Sequence, residues 1–92
     1  MNSFTTLQFR EQFKRLPKNI QKQAKRAFKH FQTNPFHPSL FFKKVHPTKP
    51  IYSVRISMDY RAVGIKQNND IVWYWIGSHS NYDKLLKQMK ND

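Results

Sequence analysis

Tyr52-Ser53-Val54-Arg55-Ile56-Ser57-Met58-Asp59-Tyr60-Arg61 is the stretch whose reading decides the fold. Apolar and polar residues alternate from Tyr52 to Met58, so Tyr52, Val54, Ile56 and Met58 face one way and Ser53, Arg55 and Ser57 the other. Such a period of two marks a half-buried strand. A second run, Tyr60 to Lys66, follows after the very short break at Met58-Asp59. A third, Ile71 to Ile76, follows the turn-like Gln67-Asn68-Asn69-Asp70. The stretch therefore reads as a three-stranded antiparallel meander ending at Gly77.

Working outward toward the start, Ser3 to Gln8 is a short strand candidate. Phe9, Phe13 and Leu16 then recur at the spacing of one helix face, and Pro17 breaks the pattern. Pro17 also suits the start of a second helix, which runs to about Thr33 and stops at Asn34-Pro35. Ile20, Ala24, Ala27, Phe28 and Phe31 form its apolar stripe, and Lys18, Lys22, Lys25, Arg26 and Lys29 its other side. The two helices read as a hairpin packed on a sheet. Pro35, Pro38, Pro47 and Pro50 exclude a helix or central strand from Phe36 to Pro50, although Phe41 to Val45 can form a short edge segment. Beyond Gly77, Tyr82, Leu85, Leu86 and Met89 mark a helix from about Asn81 to Lys90, with Ser80 as its N-cap. The order is strand, helix, helix, three strands, helix. This is an α+β domain spanning residues 1–92, with helices on one face of an antiparallel sheet and the other face free to work.

Seventeen Lys and Arg against five acids give a net charge of +12 on 92 residues. That excess repels itself and points to a polyanionic partner, nucleic acid first and an acidic protein second. With no cysteine, disulfides, thiolate nucleophiles and Cys-ligated zinc are excluded. The chain shows no leader pattern and no apolar run of membrane-spanning length, so a soluble, cytoplasmic protein with no membrane partner is expected. The His and acid spacing suggests no metal site, and with only Gly64 and Gly77 there is no glycine-rich loop to cradle a nucleotide; no cofactor is expected.

Arg55, Arg61, His79 and Tyr82 are the residues most capable of chemistry. A two-residue loop at Met58-Asp59 puts the two arginines on opposite faces; a three-residue loop, Met58 to Tyr60, pairs Ser57 with Arg61 and brings them together. The second is favoured, with Tyr60 anchoring the corner. Two guanidiniums on one sheet face form a phosphate clamp, because each presents a planar fork of donors. His79 can move a proton near neutral pH. Arginine, histidine and tyrosine without metal suffice for RNA cleavage by the RNA's own 2′-hydroxyl. Each residue also has a plainer role: Arg55 on the surface, His79 at a helix start, Tyr82 in the core. Lys43, Lys44 and His46, in the basic loop before the meander, form either a phosphate rim or an ordinary solvated connection.

The run Tyr52 to Arg61, with Trp75-Ile-Gly-Ser-His79 and Tyr82-Asp83, resembles the RelE/ParE superfamily of toxins from type II toxin–antitoxin systems. His37-Pro-Ser-Leu40 and Phe42-Lys43 are similar to the loop entering the second strand in many members. The resemblance implies a RelE-like fold, an acidic antitoxin wrapped over it, oligomers formed through that antitoxin, and metal-independent cleavage of mRNA on the ribosome. It implies catalytic roles for Arg55, Arg61, His79 and Tyr82, and an RNA contact at Ser53, where RelE has a lysine. Ser78-His79 stands where RelE has a Lys-Arg pair, and the spacing to Tyr82 is shorter. ParE-like members share the fold and poison DNA gyrase instead; an inactive RNA-binding relative is the third possibility.

Overall fold

The computed structural model describes residues 1–90. Strand β1 (Asn2–Thr5) leads into helix α1 (Leu7–Lys14), which starts where Thr6 Oγ1 accepts a hydrogen bond from the Phe9 amide at 3.1 Å. Helix α2 (Lys18–Thr33) follows Pro17 at once. It buries Ile20, Ala24, Ala27 and Phe31, while Phe28, expected on the same stripe, is exposed. A 3-10 turn (Pro38–Leu40) and the two-residue strand β2 (Lys43–Lys44) lead into the meander β3 (Ile51–Ser57), β4 (Tyr60–Gln67) and β5 (Asp70–Ser78), and helix α3 (His79–Lys90) closes the fold. The sheet order is β1-β5-β4-β3-β2. All pairings are antiparallel except β1 with β5, which is parallel because α1 and α2 carry the chain from one edge of the sheet to the other.

Helices α1 and α2 cover one face. Their core joins Ala24, Ala27 and Phe31 to Val54, Ala62, Ile71, Trp73 and Ile76. Phe31 meets Trp73 and Phe42 edge-on, with ring centroids 5.3 and 5.1 Å apart. Helix α3 does not join them. Its Tyr82, Leu85, Leu86 and Met89 pack on the opposite face against Ile51, Val63 and Trp75, so the expected placement of all helices on one face is corrected. The reason is visible in β5: Val63 pairs with Trp75 but Gly64 with Trp73, leaving Tyr74 as an extra residue. That bulge reverses the alternation, turning Trp73 to the α2 face and Trp75 to the α3 face. Both faces thereby acquire an aromatic core, and α3 finds an apolar floor.

Helix α3 begins two residues earlier than expected. Ser78, not Ser80, caps it, its Oγ accepting from the Asn81 amide at 3.3 Å. Strand and helix therefore abut without a loop, which fixes His79 at the first turn.

Candidate nucleic-acid interface

The β3–β4 turn is the two-residue loop Met58-Asp59, with Ser57 opposite Tyr60. Ile56 is an extra residue in β3, and beyond it Arg55 lies directly opposite Arg61. The three-residue loop is thus corrected, while the shared face that it would have produced is present: a bulge, not a longer turn, puts both arginines on one face. The Ile56 side chain still reaches the α1–α2 core.

The two arginines are held differently. Arg61 Nη1 donates to the carbonyl oxygens of Ser57, Met58 and Tyr60 at 2.6, 3.2 and 2.9 Å and so ties the turn together. Burial first and the adjacent Arg55 charge second hold its guanidinium below the ordinary arginine value; Tyr82, Asp59 and Asp83 pull the other way. It remains cationic at neutral pH. Arg55 makes no hydrogen bond to the protein among the described residues. Its guanidinium lies over the Phe41 ring, 5.4 Å from the centroid. Like charges directly opposite on two strands destabilise a sheet. Among the described residues neither arginine has a carboxylate within ion-pair distance, so the positive charge of the pair is uncompensated there.

Phe41, Lys43, Ser53, Arg55 and Arg61 line a cavity of about 200 Å³ at this position. Lys43 is opposite Ser53 and therefore shares the arginine face; Lys44 is opposite Tyr52 and points to the other. Of the two lysines, only Lys43 is brought to the site. His46 and Ser53, both expected as RNA contacts, are buried. His46 is buried, its Nδ1 accepting from the amides of Thr48 and Lys49 at 3.1 and 2.9 Å, so it shapes the loop from within. Ser53 is 2 % exposed and sits on the cavity floor, its Oγ accepting from the Tyr82 hydroxyl at 3.0 Å. Tyr82 is itself buried, its phenolic proton held by Ser53, in the packed position that its place on the apolar stripe also suggested. It underlies the site and does not open onto it.

His79 is exposed. Its amide donates to the Asp59 carbonyl at 2.6 Å, which clamps the start of α3 to the turn carrying Arg61. Its Nε2 is 3.4 Å from Asp83 Oδ2 one helical turn on, which orients the ring. Arg61 pairs with Gly77, two residues before His79. A Cβ at Gly77 would lie 2.8 Å from the Trp75 ring, so glycine there leaves room for the indole. Among the described residues no three His, Asp or Glu side chains gather as a metal cluster.

Phe41 escaped the reading of the sequence. It is 58 % exposed and has φ 45°, ψ 45° at the end of the 3-10 turn. The left-handed region costs an L-residue roughly 1–2 kcal/mol, and a helix end would ordinarily place glycine or asparagine there. No sequence pattern announces a positive φ at a phenylalanine.

No curated protein matches the chain at a significant level. Among solved structures it resembles RelE in the RelB–RelE antitoxin–toxin complex of Methanococcus jannaschii, at 22% identity over 88% of this chain and 96% of that one, with a TM-score of 0.72. It also resembles YafQ of Escherichia coli, at 12% identity, 88% and 96% coverage and a TM-score of 0.70. A third likeness is to YoeB of Staphylococcus aureus, solved as a dimer, at 21% identity, 86% and 97% coverage and a TM-score of 0.68. These likenesses establish the RelE-like α+β fold. The ParE-like toxin domain model matches residues 18–84, from the start of α2 into α3 and across the whole arginine face. On that match, the chain belongs to the ParE-like toxin domain family.

Proposed function

We propose that this protein is the toxin of a toxin–antitoxin pair and that it acts as a metal-independent, ribosome-dependent mRNA endoribonuclease. The observation that carries the reading is the opposed pair Arg55 and Arg61, with no carboxylate in ion-pair range among the described residues, beside Lys43 in an open cavity. A phosphodiester fits this arrangement: Arg55 offers a full fork of donors, Arg61 the donors its turn leaves free, and Lys43 a point charge. The 2′-hydroxyl of the bound nucleotide attacks the adjacent phosphorus. A pentacoordinate phosphorane forms, the bond to the 5′-oxygen breaks, and the products are a 2′,3′-cyclic phosphate and a free 5′-hydroxyl. The guanidiniums stabilise the added negative charge. His79, oriented by Asp83, transfers a proton, and a ribosome-bound water or rRNA group supplies the complementary step. Tyr82, which the family resemblance offers as a fourth catalytic group, serves as the post under Ser53.

The antitoxin is acidic on this reading. Between α1 and α2 runs an apolar groove of about 430 Å³ whose lining includes Phe9, Phe13, Phe28 and Trp73, with Arg10, Lys25 and Lys29 among its polar residues. An amphipathic segment with acidic flanks complements both its floor and its rim. The M. jannaschii RelE structure contains a bound RelB antitoxin.

Primer extension on mRNA-programmed ribosomes tests the activity. The purified protein is expected to cut at the A-site codon, and His79→Ala or Arg55→Ala to lower the rate about 10²-fold or more. Undiminished cutting by both variants would refute the site. Intact mRNA with SOS induction in cells would select the gyrase-directed action that the ParE resemblance implies.

A further inference from the structure

We infer that Phe41 is a base-stacking platform, and that the cavity beside it takes one nucleotide of single-stranded RNA, the base on the Phe41 ring and the phosphate on Arg55, Arg61 and Lys43. This rests on the RNA reading of the same site and adds to it the residue that holds the base. Three independent features of Phe41 point the same way. Its ring is more than half exposed at the lip of the cationic cavity, where core packing gives no reason for an aromatic. Its backbone holds a positive φ that asparagine or glycine would adopt more easily. Its ring carries the Arg55 guanidinium, fixing that side chain without occupying its N–H donors. Aromatic and cation together are the two parts of a single-strand site: a π-face accepts any base, and adjacent charge holds the backbone. The neighbouring Phe42 provides the contrast. It stacks on Tyr52 with centroids 4.9 Å apart, on the face covered by α1 and α2.

The test uses a short 2′-O-methyl oligonucleotide, which cannot be cleaved, carrying one 2-aminopurine among uridines. The parent protein is expected to bind it and to quench the 2-aminopurine by stacking. Phe41→Asn, which suits the positive φ and so keeps or raises the melting temperature, is expected to bind about 5- to 100-fold more weakly without quenching. Phe41→Trp and Phe41→Tyr are expected to retain both. The dependence of affinity on salt should be unchanged in Phe41→Asn and shallower in Arg55→Ala, because only the arginine releases counterions. Parent-like binding and quenching by Phe41→Asn would overturn the inference. So would a salt slope that falls to that of Arg55→Ala, since Phe41 would then act only by holding the arginine. Failure of the parent to bind the oligonucleotide would overturn it also. Ribosomal cleavage is scored separately: cutting by parent and Phe41→Asn alike leaves the nuclease standing and removes the platform, whereas stacking without cutting does the reverse.

Discussion

Replacing Tyr82 by phenylalanine separates the geometry found here from the role that family resemblance assigns. The substitution removes one hydroxyl and keeps the ring, so the packing against Trp75, with centroids 6.4 Å apart, is retained. What is lost is the 3.0 Å hydrogen bond to Ser53, both partners being almost fully buried. A neutral buried hydrogen bond contributes about 1 kcal/mol, and leaving Ser53 Oγ without its donor adds to the loss; the expected total is about 1.5 kcal/mol. For a domain of this size each kcal/mol moves the melting temperature by roughly 4–8 °C, so a drop of about 6–12 °C should appear in a calorimetric scan. Ser53→Ala alone should lower stability similarly, by stranding the phenol. The double variant, with both polar groups gone, should be more stable than the sum of the two losses, by about 1 kcal/mol of coupling. Below the transition, ribosomal cleavage by Tyr82→Phe should stay within a few-fold of the parent. A loss of about 10²-fold or more with no change in melting temperature would refute the structural role and return the phenol to proton transfer. Additive single losses would show that the Ser53 contact contributes nothing.

Three further outcomes follow from the geometry. Lys43→Gln should reduce the salt slope of RNA binding by about one unit and Lys44→Gln should not, since only Lys43 shares the arginine face; equal effects would mean that the RNA path crosses the sheet edge. Gly64→Ala should destabilise more than Gly77→Ala, by about 1–3 kcal/mol in urea unfolding: its Cβ would meet the Val72 carbonyl at 2.9 Å and the buried Trp73 ring at 2.8 Å, whereas at Gly77 only the half-buried Trp75 ring must move. Burial raises the Tyr74 phenol above its ordinary value of about 10. The folded state therefore holds that proton longer than the unfolded state, so the Tyr74 contribution is complete below about pH 10 and is lost as pH climbs through the raised value. Absorbance titration of the phenols should lose a late-titrating component in Tyr74→Phe, and the alkaline loss of stability should be flatter in that variant.

Much of this protein could be read from its residues in order. The alternation through Tyr52, Val54 and Ile56, the proline after Leu16 and the stripe from Ile20 to Phe31 specify strand, helix and helix, because helical and strand periods are local properties of the backbone. The charge of +12 already pointed to a polyanionic partner, and Arg55 and Arg61 stood out on either side of the Met58-Asp59 break, with their faces left open by the loop length. Tertiary structure decided what lies on which side. A period of two predicts faces only while the count is unbroken, and single extra residues at Ile56 and Tyr74 reset it. The first bulge unites Arg55 with Arg61. The second divides Trp73 from Trp75 and gives α3 a face of its own. Tyr82, Ser53 and His46 are polar enough to read as site residues, but their burial depends on chain segments distant in sequence, as with Tyr82 and Ser53, 29 positions apart. Phe41 lay hidden for the opposite reason: its exposure and positive φ are set by where the loop must turn to meet β3, a constraint that composition and periodicity do not carry.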